Sequence, residues 1–137
     1  MLVGDGLQMV EEIFLVLRYS QFMNNQEKLK KLTERIRDFT EQRDWEQFHD
    51  PKNLALSLQL EAAEVLELFQ WTKNNEIREG KEHELADELS DVLYWLIKLA
   101  DHYNIDLLDS LEKKMDKNES KYPVESAKGR SVKYTEL

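Results

Sequence analysis

Between Asp50 and Tyr103 the chain carries two long runs in which apolar side chains return every three or four residues, the step that gathers them on one side of an α-helix. Leu54, Leu58, Val65 and Leu68 form the stripe of the first run, and Leu85, Leu89, Val92, Leu96 and Leu99 that of the second. A third stripe, Leu29, Leu32, Ile36 and Phe39, predicts an amphipathic helix over 26–43, and a last helix is expected from Asp106 to Lys121. Asp50 is placed to cap the 51–71 helix, with Pro51 at its first position, and that helix is expected to run to about Trp71. The polar run Lys73–Gly80 reads as a connector, Glu82–Tyr103 as the next helix and Asn104 as its end. Pro123 stops the last helix at Tyr122, because the residue before a proline avoids helical geometry.

Residues 8–22 give a ragged first helix, the Met23-Asn24-Asn25 that follows looks like an alternative beginning, and Arg43–His49 reads as a loop rich in large side chains. Residues 124–137 have no period and read as a tail. Four glycines, two prolines and no sustained alternation make the chain all-α, a bundle of four to five helices. The expected layout is an extension over 1–24, a helical domain over 25–123 and the tail over 124–137.

At 137 residues the chain is the size of one domain. No stretch approaches the roughly 20 apolar residues of a membrane span, and no positive region precedes the short apolar run Ile13–Leu17, so the reading is cytoplasmic. With 28 acidic against 19 basic residues the net charge is −9, which argues against a nucleic-acid polymer as partner. A small anion remains possible if a metal carries it in. There is no cysteine, so any metal must be held by oxygen or nitrogen.

Four acids then change the picture. On a wheel of about 100° per residue with Leu54 at zero, Glu61 falls near −20°, inside the apolar stripe, and Glu64 near −80°, on its edge. On the 82–103 helix Glu88 and Asp91, again three residues apart, lie on the margin of the stripe. A carboxylate taken out of water without a partner costs several kcal/mol or more, so Glu61 calls for a cation or for an Arg or Lys across the bundle. Four facing carboxylates favour hard divalent ions, Mg²⁺ or Mn²⁺ before Zn²⁺. A di-iron centre would need Glu-x-x-His on two helices, and only Glu46–His49 matches, in the loop.

The series Glu61-x-x-Glu64, 23 residues, Glu88-x-x-Asp91 resembles the metal-binding signature of the all-α nucleoside triphosphate pyrophosphatase (MazG-like) superfamily. The likeness covers about residues 26–137 and looks like the dCTP pyrophosphatase branch. It includes Arg43–His49 with Pro51–Leu54, Glu67–Trp71, Asp87–Leu93, Lys113–Met115, Lys121–Pro123 and the ending Lys133–Leu137. Leu60 stands where many members of the wider superfamily carry a further Glu.

The resemblance implies cleavage of a nucleoside triphosphate to monophosphate and pyrophosphate, with Mg²⁺ held by Glu61, Glu64, Glu88 and Asp91. Glu61, Glu64 and Glu67 are the first candidates to take the proton of the attacking water, and the residues do not choose among them. Lys114, Asn118 and Tyr122 share a face of the last helix at four-residue steps. By resemblance they grip phosphate oxygens; by spacing alone they fit a solvated face. Trp45 and Trp71 are implied to line the base pocket, and His49 to bond base or phosphate. Trp95 and Tyr94 read as packing, His83 and His102 as surface residues. The resemblance also implies a homodimer or homotetramer. Without turnover, the same acids would suit a metal-stabilised helical module that binds a nucleotide or a partner.

Overall fold

Every regular element of a computed structural model, which describes residues 4–73 and 76–137, is helical: α1 (Gly4–Glu41), α2 (Pro51–Glu67), α3 (Glu82–His102), α4 (Leu107–Lys121) and the single turn α5 (Val124–Ala127). Two short 3₁₀ turns, Glu46–Phe48 and Tyr134–Glu136, complete it, so the expected tail is in part helical. No strand occurs among the described residues, as the all-α reading requires.

The helices expected over 8–22 and 26–43 are one, α1, which runs through Met23–Asn25. Asparagine is a weak helix former, but the penalty against alanine is only about 0.7 kcal/mol per residue at most. Neither Gly nor Pro lies between Leu7 and Asp50, and ending the helix would leave four carbonyls to satisfy.

The segment expected as a loop after α1 is a built turn. Thr40 is buried, and its hydroxyl donates to Glu46 Oε1 while its carbonyl accepts the Trp45 amide at 3.0 Å. Asp44 takes a left-handed φ of 54° to reverse the chain. The Arg43 guanidinium lies 3.8 Å over the Phe39 ring, which meets Trp45 edge-on at 5.7 Å. Asp50 caps α2 as its position predicts, accepting the Asn53 amide at 3.0 Å.

The expected end of α2 at Trp71 is four residues late. After Glu67 the amides of Leu68, Phe69 and Gln70 bond three residues back, tightening the helix, and Trp71 turns left-handed at φ 67°. The Leu68 carbonyl is taken by the Arg78 amide at 2.9 Å. Further on, α3 closes in a Schellman arrangement: Ile105 N–H reaches the Ala100 carbonyl at 2.9 Å and Asn104 N–H that of Asp101 at 3.1 Å, with Asn104 at φ 53°. Asp106 then caps α4 through the Asp109 amide at 3.0 Å.

The chain divides into two units, Met1–Leu56 and Ser57–Leu137. Leu54 is buried in the first, Leu68, Ile97 and Ala100 in the second. The α3 stripe is only partly covered: Leu85, Val92 and Leu99 are half-buried, but Leu89 is 51% exposed and Leu96 also faces solvent. No helix among the described residues is long and apolar enough to cross a membrane.

Candidate metal centre

Within the second unit, α2 brings Glu61 and α3 brings Glu88 and Asp91 to one place. One carboxylate oxygen from each lies within 4.8 Å of the others, Glu61 and Glu88 half-buried and Asp91 exposed. The i, i+3 spacing on α3 puts its two acids on one face, and the stripe position of Glu61 turns it inward. Three of the four predicted ligands are thus assembled by two helices.

The acids act on one another. Partial burial, and then the charges of Glu64, Asp91, Glu61 and Asp87, push the Glu88 carboxyl above its ordinary value. Glu64 is exposed and stands outside the trio, yet among the acids around Glu88 its charge weighs most. A donor set made only of carboxylates fits a hard divalent cation, which would relieve the repulsion that raises Glu88.

The group that reaches Glu61 is a neutral donor. Trp95 Nε1–H donates to Glu61 Oε1 at 3.1 Å, and its ring meets Tyr94 edge-on at 5.0 Å. Read from the sequence as packing, Trp95 also hydrogen-bonds Glu61. Its place one turn beyond Asp91 was the available signal.

Glu67 is the exposed last residue of α2. Trp71, just beyond it, is 88% exposed despite its size. On α4, Lys114 is exposed and Asn118 half-buried, and the Tyr122 amide closes on the Asn118 carbonyl at 2.8 Å. The Tyr122 ring meets Tyr134 edge-on at 6.1 Å, and the Lys121 ammonium lies 4.8 Å from the Tyr134 ring centre. Trp45 and His49 belong to the first unit; Trp45 is exposed, and His49 is half-buried with Nδ1 4.0 Å from Glu46 Oε1. His83 and His102 are exposed, as expected.

Residues 56–137 match the model of the MazG-like family. Over 105 residues the chain is 45% identical to dCTP pyrophosphatase 1 of Mus musculus and 44% identical to dCTP pyrophosphatase 1 of Homo sapiens. Each match covers 73% of this chain but 62% of the relative, so the chain spans less than two thirds of the length of these curated relatives. Among solved structures, a crystal structure of a pyrophosphatase from Archaeoglobus fulgidus superposes with a TM-score of 0.59 at 38% identity, covering 69% of this chain and 91% of that one.

Proposed function

The chain belongs to the MazG-like family, and on that premise we propose that it hydrolyses nucleoside triphosphates, dCTP or a base-modified dCTP foremost, to the monophosphate and pyrophosphate. The observation that carries this reading is the convergence of Glu61, Glu88 and Asp91 with the raised Glu88 carboxyl, on a chain similar to dCTP pyrophosphatases. The activity would clean the cytoplasmic nucleotide pool.

Glu61, Glu64, Glu88 and Asp91 would hold Mg²⁺, with Mn²⁺ as substitute. When bound, such an ion neutralises polyphosphate charge and makes water acidic enough to react near neutral pH. The remaining work falls to the chain. Glu61, Glu64 or Glu67 accepts the water's proton, and Lys114, Asn118 and Tyr122 bind phosphate oxygens. Trp45 and Trp71 stack on the base, each stack being worth about 1 to 3 kcal/mol, and His49 bonds base or phosphate. Residues 25–123 form the working domain in this reading, with 1–24 as extension and 124–137 as tail.

A homodimer or homotetramer completes the proposal. Its support is the apolar surface that one copy leaves open, including Leu60, Leu66, Leu89 and Leu93. A monodisperse monomer in light scattering would defeat it. The activity is tested by turnover of dCTP, dTTP, dUTP and dATP side by side with Mg²⁺, read as pyrophosphate. The expected result is release from dCTP above the others and its loss in Glu64→Gln. No release from any of the four would overturn the proposal.

A further inference from the structure

We infer that Trp95 is a positioning residue for the acidic cluster: its indole N–H holds one oxygen of Glu61 and so aims the other at the cation. The inference deepens the metal-binding reading above and rests on it.

Glu61 has reason to leave the cluster. One of its carboxylate oxygens lies within 4.8 Å of oxygens of Glu88 and Asp91, like charges that repel it, and a glutamate side chain regains up to about 2 kcal/mol of rotamer freedom when released. Against this stands the hydrogen bond from Trp95 Nε1 to Glu61 Oε1 at 3.1 Å, charge-assisted because the acceptor is a carboxylate. The chemistry of the donor is well suited to the task. An indole carries one N–H and no acceptor, so it occupies one carboxylate oxygen and cannot itself ligate a metal.

Placement supports the same role. Trp95 follows Asp91 by four residues and Glu88 by seven, which sets it about 20° from Glu88 and about 40° from Asp91 around α3. One strip of α3 therefore carries two of the clustered acids and the group that orients the third, which comes from α2. The edge-on contact of Tyr94 with the Trp95 ring, at 87°, restrains the ring in turn.

Groups that orient a metal's ligands commonly change affinity by about 10- to 100-fold when removed. The test is Mn²⁺ binding to the full chain, followed by electron paramagnetic resonance without nucleotide. Two substitutions are compared: Trp95→Phe, and 3-benzothienylalanine at position 95, which keeps the shape of the indole and replaces N–H by sulfur. Both are expected to bind Mn²⁺ at least about tenfold more weakly than wild type, while the isostere keeps the melting temperature of the metal-free protein. A merely structural role would be spared by the isostere, which also keeps the test decisive should Trp95→Phe not fold. An isostere that binds Mn²⁺ as tightly as wild type overturns this inference alone. A wild-type chain that binds no Mn²⁺ overturns the metal-binding reading and this inference with it.

Discussion

Replacing Trp71 by glycine should make the protein more stable and, if Trp71 stacks on the base as proposed, a worse binder of its substrate. Trp71 holds φ at 67°, a left-handed conformation that costs an L-residue roughly 1–2 kcal/mol, and its side chain is 88% exposed, so little packing offsets that strain. Glycine removes the strain but adds about 0.5–1 kcal/mol of backbone entropy in the unfolded chain. The net expectation for Trp71→Gly is a gain of about 0.7 kcal/mol, a rise of about 2–3 °C in melting temperature for a chain of this size. Trp71→Ala keeps the strained backbone and should change stability by less than about 0.5 kcal/mol, so the pair separates backbone from side chain. In the proposed reading both variants also lose a base-stacking surface worth about 1–3 kcal/mol, which corresponds to a KM for dCTP raised roughly 5- to 150-fold. Thermal denaturation by circular dichroism and steady-state kinetics read the two effects. If Trp71→Gly is destabilised by more than about 1 kcal/mol, the ring is packed and the strain argument is wrong. An unchanged KM in both variants removes Trp71 from the base pocket.

Three other outcomes follow from the same geometry. Leu54→Ala empties a site that is 1% exposed and should cost about 3 kcal/mol in urea unfolding; a loss below about 1 kcal/mol would mean that Leu54 anchors no core. Asp106→Ala removes the side-chain acceptor of the Asp109 amide at the start of α4 and should cost about 1 kcal/mol, with Asp106→Asn recovering most of it. Glu88 titrates above the ordinary 4.5 in the folded chain, so the folded state keeps that proton to higher pH than the unfolded one. The stability penalty of its charge is therefore fully present above the raised pKa. It is relieved as pH falls through that value toward 4.5, whereas the proposed Mg²⁺ binding, which would need the ionised form, should weaken over the same window. Melting curves of metal-free wild type and Glu88→Gln against pH check this, and identical slopes would contradict it.

The elements that could be read from the chain are those whose signals are local. Asp50 with Pro51, Asn104 and Asp106 each act on amides or carbonyls within a few residues, so residue type and spacing place the boundary correctly. The inward position of Glu61 was equally accessible, since it needs only the helical repeat. The end of α2 was not. It depends on the Arg78 amide capturing the Leu68 carbonyl from ten residues away, and on a tryptophan in a conformation usually left to glycine. Continuity of α1 across Asn24 and Asn25 was missed as well, because the ragged pattern of 8–22 does not continue the regular stripe that starts at Leu29. The exposure of Leu89 could not be foreseen either, because the periodicity marks an apolar face without saying what covers it. Trp95 was missed for a related reason: its partner Glu61 lies on another helix, and spacing along one helix cannot show a bond between two.

In the proposed cleavage, water attacks the α-phosphorus of dCTP beside Glu61, Glu88 and Asp91. That attack is tested most directly by running the reaction with Mg²⁺ in ¹⁸O-water and following the products by ³¹P NMR. The expected products are pyrophosphate without label and a monophosphate carrying one ¹⁸O, with both absent in Glu88→Gln. Orthophosphate with a diphosphate as products, or label in the pyrophosphate, would contradict it.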